Sequence, residues 1–166
     1  MPERNFGGRT MNSVRKPFLS LAAFAALAVS LIGSSAADVP VADPVAVVND
    51  FHNALNRGDA SAAAALLDDK ALIFEEGDAE RSRAEYAAHH LAADIAFLAH
   101  VEERVLKRDS GFNGTFAWVA TEAEMTGQVG DKTIDRFTTE TMILHRVGGS
   151  WRILHIHWSS RPAEKK

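Results

Sequence analysis

Apolar residues recur at helical spacing through the first half of the chain and alternate with polar ones through the second. Asp43-Pro44 reads as an N-cap followed by proline at the first helical position, and Val47, Val48, Phe51, Ala54 and Leu55 then fall on one helical face. Gly58 ends that helix, and Asp59 caps a second, short one over Ala60 to Leu67, an alanine-rich stretch of high helix propensity. Ala71 to Glu75 is a short strand stopped by Glu76-Gly77-Asp78. Ser82-Arg83-Ala84-Glu85 fits a capping box and opens a third helix of about five turns that ends near His100. After it the period changes from about 3.6 to 2. Val101 to Arg108, Thr115 to Thr126, Lys132 to Val147 and Trp151 to Ser159 read as strands separated by glycine-containing turns. Helices first and an antiparallel meander afterwards predict an α+β domain.

The start of the chain does not belong to that domain. Arg15 and Lys16 precede an apolar run from Phe18 to Ile32, and Ser34-Ser35-Ala36-Ala37 supplies the small residues of a signal-peptidase site. The expectation is a signal peptide over residues 1–37, a single domain over 38–166, and a periplasmic or secreted product. Met11 is an alternative start that places the two cations close to the amino terminus. The apolar run is shorter than the roughly 20 residues that span a bilayer, so cleavage leaves no membrane segment. The chain has no cysteine, which excludes disulfides, thiolate metal sites and a cysteine nucleophile. Removing residues 1–37 takes away four cations and one acid, moving the formal charge from -4 to -7, with 14 cationic against 21 anionic residues. An acidic chain without a basic run excludes nucleic acid as the expected partner.

Turn geometry predicts which residues share a sheet face. A two-residue turn at Gly148-Gly149 pairs Val147 with Ser150, and an unbroken count places Met142 opposite His155 and Glu140 opposite His157. Alternation then gathers Glu140, Met142, His155, His157 and Ser159 on one face. The turn at Gly130-Asp131 pairs Thr121 with Glu140 and Met125 with Arg136, adding Thr121 and Arg136. The opposite face would carry Trp118, Phe137, Ile143, Leu154, Ile156 and Trp158. His155 and His157 project together from one strand, which suits paired acid/base groups or two metal ligands. On the third helix, Tyr86, His90, Asp94 and Phe97 share a stripe, with His90 and Asp94 spaced for carboxylate–imidazole pairing. His155, His157 and a third nitrogen from His90 or His89, with Glu140 beside them, form a donor set suited to zinc or copper(II). The same histidines serve equally as hydrogen-bonding groups of the structure.

The opening FHNALNRGDASAAAALL, the strand LIFEEG, the helix from Ser82 and the ending TETMILHRVGGSWRILHIHWSS together resemble the nuclear-transport-factor-2-like superfamily, in its SnoaL-like and ketosteroid-isomerase-like branch. The resemblance covers roughly Pro44 to Ser160. It implies a cone in which a curved antiparallel sheet wraps three N-terminal helices around a pocket, often in homodimers. Tyr86, His90, Phe97, Thr121, Arg136 and Met142 are the candidate pocket residues. The isomerase branch uses a carboxylate base with a tyrosine and a protonated acid, whereas the one tyrosine here, Tyr86, lies on the third helix, so no isomerase residue is transferred. The expected function is small-molecule binding. The alternatives are an isomerase, cyclase or hydro-lyase with His157 or His155 as general base oriented by Glu140 or Asp94, a histidine-based metal protein, and a homodimeric assembly module.

Overall fold

The computed structural model describes residues 43–163; the expected signal peptide, its cleavage site and the alternative start at Met11 lie outside them. Helix α1 (Pro44–Asn56) begins where its cap predicts, with the Asp43 carboxylate accepting from the Val45 amide at 2.9 Å. It buries Val47, Val48, Phe51, Ala54 and Leu55, the stripe read from the sequence. Helix α2 (Ala60–Leu66) is capped by Asp59, which accepts from the Ala62 amide at 2.9 Å. Strand β1 (Leu67–Glu75) follows at once and runs longer than the expected 71–75. Glu76 and Gly77, both at positive φ, then return the chain into a short strand β2 (Asp78–Glu80) that the turn residues had concealed.

The third helix is two. Helix α3 (Arg83–His89) and helix α4 (Leu91–Leu98) meet at His90. Tyr86 and Leu91 are both buried, yet residues five apart on a straight helix point about 140° from each other. Breaking the helix between them lets both reach the core. At its start the Ser82 hydroxyl accepts from the Glu85 amide at 3.0 Å, and the Glu85 carboxylate accepts from Arg81 rather than from Ser82.

Strands β3 (Val101–Phe112), β4 (Phe116–Val129), β5 (Lys132–Val147) and β6 (Ser150–Pro162) form the meander. The curved, unclosed sheet has the order β2-β1-β6-β5-β4-β3, antiparallel except where β1 runs parallel to β6. Its inner face packs on the helices. Val119, Met142, Leu144, Ile153 and Ile156 are fully buried there against Val48, Phe51, Leu55 and Leu67.

The register corrects one inference. Val147 pairs with Ser150 and Thr121 with Glu140, as the turns predict. Between those points the β5–β6 ladder slips by one residue: Leu144 pairs with Ile153 but Ile143 with His155, leaving Leu154 as the extra residue of a bulge. Beyond it every β6 side chain changes face. Glu140 therefore lies opposite Trp158 and Met142 opposite Ile156, while His155 and His157 belong to the outer face.

Candidate functional site

The inner face does not close completely. A cavity of about 130 Å³ opens between α1, α4 and the far halves of β4, β5 and β6. That is close to the about 150 Å³ in which an engineered cavity holds benzene.

At its floor sits Glu140, from the middle of β5, with its side chain only 8% exposed. His52, one position along α1 from the core residue Phe51, brings Nε2 to 2.7 Å from Glu140 Oε2. The N–H is not aligned along that line, so the contact is an ion pair before it is a directional hydrogen bond. Trp158 Nε1–H donates to the same carboxylate at 2.8 Å, and the Thr121 hydroxyl lies 3.4 Å from its other oxygen. Arg108 adds a third layer, donating to Thr121 at 2.8 Å and to Asn49 at 2.5 Å. Burial pushes the Glu140 carboxyl up, but His52, Trp158 and Arg108 outweigh it and hold the group below its ordinary value. Burial likewise opposes charge on His52, and the Glu140 carboxylate overcomes this, raising the imidazole above its ordinary value. Each member of the pair therefore favours the charged form of the other, imidazolium and carboxylate.

At the helical side of the cavity Asp94 accepts a 2.6 Å hydrogen bond from the Tyr86 hydroxyl. Burial raises Asp94 above the usual carboxylate range, although Tyr86 and His90 pull the other way. Glu75, at the end of β1, is also raised, first by burial and then by the neighbouring Asp94 charge. Two carboxyl groups of raised pKa thus line the cavity with a buried His–Glu pair. At the mouth, Glu76 accepts from the Ser160 amide at 2.9 Å and from its hydroxyl at 2.8 Å, while Arg136 donates to that hydroxyl at 2.8 Å.

Of the residues expected from the sequence, Asp94, Phe97, Thr121, Arg136 and Glu140 line this cavity. Met142 does not; it is fully buried in the core. Tyr86 and His90 face a smaller crevice beside β2, and Tyr86 reaches the main site only through its bond to Asp94. His90 does not pair with Asp94 as its spacing suggested: its Nδ1 contacts Glu80 of β2. His155 and His157 lie on the outer face, ring centroids 6.3 Å apart, with His155 bonded to the Leu72 carbonyl at 2.9 Å. The Leu154 bulge thereby separates them from Glu140, and neither lines the cavity. This removes the geometry in which Glu140 or Asp94 orients either of them as a base. It also separates the expected ligand set of His155, His157 and His90, since His90 turns to Glu80 beside β2.

His52 and Trp158 were missed. His52 carried a signal: it stands four residues after Val48 and three before Leu55, so it flanks the buried stripe of α1, where a polar residue needs a partner.

The SnoaL-like domain family matches residues 45–164. Among solved structures, a candidate ketosteroid isomerase from Shewanella frigidimarina is 35% identical with a TM-score of 0.67, over 69% of this chain and 92% of that one. A dehydratase candidate of the NTF2-like family from Streptomyces avermitilis superposes with a TM-score of 0.63 at 16% identity, over 74% and 96% of the two chains. An NTF2-like protein of unknown function from Pseudomonas putida does so with a TM-score of 0.60 at 18% identity, over 69% and 82%. No protein of curated function matches the chain.

Proposed function

We propose that this chain, which belongs to the SnoaL-like domain family, is an exported small-molecule-binding protein that takes one compact ligand into the cavity on the inner face of its sheet. The observation that carries this reading is the buried Glu140–His52 pair on a cavity with room for about one ring. A buried ion pair is costly to desolvate, and here it sits where a ligand can use the imidazolium as a donor. The walls bear Glu75, Glu76, Asp94, Glu103 and Glu140 against Arg136 and His52, so an anionic ligand is disfavoured. The ligand class is a neutral single-ring compound with a carbonyl or similar acceptor directed at His52. Export rests on the amino-terminal sequence alone.

A thermal-shift screen of neutral and anionic single-ring compounds tests this. A ligand at 100 times its dissociation constant stabilises by about 2.7 kcal/mol. Neutral carbonyl compounds should shift the protein and lose most of that shift in His52→Leu. Equal shifts in wild type and variant, or hits confined to carboxylates, would sink the reading.

A second reading, turnover by proton transfer, is favoured by the raised carboxyls of Asp94 and Glu75. A carboxylate of raised pKa is the stronger base, and His52, whose protonated form Glu140 favours, is the matching acid. The chemistry would be isomerisation or elimination next to a carbonyl, with Asp94 taking the carbon-bound proton while His52 donates to the oxygen. Deuterium incorporation into a bound ketone in D₂O, followed by NMR, distinguishes turnover from binding.

We also assign the outer sheet face to a second copy of the chain. Leu72 and Phe74 on β1 and Phe116 and Trp118 on β4 are each at least 38% exposed there, the apolar side chains that such a copy would cover.

A further inference from the structure

The end of β2 and helix α3 bring together a second group of side chains, none of which lines the cavity. Glu80 is 94% buried. One of its oxygens contacts His90 Nδ1. The other, Oε2, is buried without a hydrogen-bond partner and lies 3.4 Å from His89 Nδ1. Glu85, four residues before His89 on α3, brings a carboxylate oxygen into the same space. One oxygen of Glu80, one of Glu85 and one ring nitrogen of His89 all lie within 4.8 Å of one another. Glu85 spends only Oε2 on its helix cap, accepting from the Arg81 amide. The Arg81 guanidinium is turned to the Ala79 carbonyl.

An orphaned carboxylate oxygen that deeply buried is expensive, and a proton donor at 3.4 Å off the line does not satisfy it. A metal ion would. Zinc–oxygen and zinc–nitrogen bonds of about 2.0–2.2 Å at tetrahedral angles put adjacent donor atoms roughly 3.3–3.5 Å apart. The Glu80–His89 separation of 3.4 Å already has that value. We infer that Glu80, Glu85 and His89 form a zinc site with three protein ligands and an open fourth position, tying the β1–β2 hairpin to α3. Two oxygens and one imidazole suit zinc, with copper(II) and nickel(II) as its competitors by general affinity order and magnesium or calcium disfavoured by the nitrogen. His89 is 61% exposed in its side chain, so the ion can enter from solvent. His90, already held by the other Glu80 oxygen, orients that carboxylate from behind. This assignment is independent of the ligand reading, because none of its donors lines the cavity.

The test is titration of untagged protein with zinc against a chromophoric chelator, and with cobalt(II) followed by its visible absorption. Wild type should bind one equivalent of zinc and give the intense spectrum of tetrahedral cobalt. His89→Ala and Glu85→Gln, both on the accessible side of the site, should each weaken zinc at least tenfold while keeping the fold by circular dichroism. The pair His155→Ala plus His157→Ala should bind as wild type does. Less than a tenth of an equivalent bound by wild type, unchanged affinity in His89→Ala, or loss of binding in the β6 double variant would each overturn the assignment.

Discussion

Replacing Glu140 by Gln keeps the shape of the cavity floor and removes its charge, which isolates what the carboxylate does for His52. In the native protein Glu140 is 7% exposed, lies 2.7 Å from His52 Nε2 and accepts from Trp158 at 2.8 Å. Burial alone opposes the imidazolium, and the carboxylate reverses that. In Glu140→Gln burial and the Arg108 charge are opposed only by the more weakly acting Glu103, so the His52 pKa should drop from above 6.5 to below it. The stability consequence has a definite sign. His52, raised in the fold, contributes stability that is fully present below its unfolded pKa and lost as pH rises through its folded value. Glu140, lowered in the fold, contributes stability present above its unfolded pKa near 4.5 and lost as pH falls through its folded value. The pair thus supports the fold most between about pH 4.5 and 6.5, and that support fades above His52's folded pKa. Removing one member of a buried pair destabilises by about 3–5 kcal/mol, and His52 can relieve part of this by losing its proton, so about 2–3 kcal/mol is expected at pH 6. The difference between wild type and variant, from urea unfolding at pH 5, 6, 7 and 8.5, should shrink steadily above pH 6.5. Proton NMR of the His52 ring reads the pKa directly. A variant in which His52 still titrates at or above 6.5, or a stability difference that grows with pH, would refute the reasoning.

Trp158→Phe keeps an aromatic ring beside Phe51, whose centroid is 6.4 Å away, but removes the donor to Glu140; about 1.5–3 kcal/mol should be lost in urea unfolding, with the His52 pKa rising further. Gly127→Ala puts a Cβ at 2.2 Å from the His100 carbonyl and 2.8 Å from Val101 Cα, both backbone atoms, so the α4–β3 corner must move and the melting temperature should fall as for about 1–3 kcal/mol or more. Phe51→Ala empties a fully buried site between α1 and the sheet and should destabilise by about 3–5 kcal/mol in the same assay. Trp118→Glu, on the outer face, should leave the melting profile within about 0.5 kcal/mol of a monomer's and convert a dimer to monomer in sedimentation equilibrium; a wild type that is already monomeric at micromolar concentration removes the dimer assignment.

What could be read before the structure follows the reach of each interaction. Caps and turns act within a few residues, so Asp43, Asp59 and the Gly148-Gly149 turn located their elements correctly. The break at His90 was hidden because its cause is tertiary: Tyr86 and Leu91 both need the core, and Glu80 draws the His90 ring to β2. Strand β2 was hidden because Asp78, Ala79 and Glu80 have little strand propensity and are held only by pairing with Ile73, Phe74 and Glu75.

The Leu154 bulge had the widest consequence, and its origin can be argued from the two ends of β6. Before the bulge, Trp151 and Ile153 must face inward, being 1% and 0% exposed. After it, Ile156 must face inward as well, and an odd and an even position cannot share a face of an unbroken strand. Both alternations are visible in the sequence once it is asked where the large apolar residues go. WRILHIHW read as a regular strand puts Trp151, Ile153, His155 and His157 together, burying two imidazoles, whereas one extra residue at Leu154 buries Ile156 and brings Trp158 to Glu140 instead. Burying an isoleucine in place of an imidazole without a partner is favoured by roughly 2 kcal/mol or more, which exceeds the local loss of a ladder bond at about 1 kcal/mol. The bulge is therefore what places a tryptophan donor, rather than a histidine, on the floor of the cavity. It also leaves His52, from the other side of the core, as the imidazole that meets Glu140.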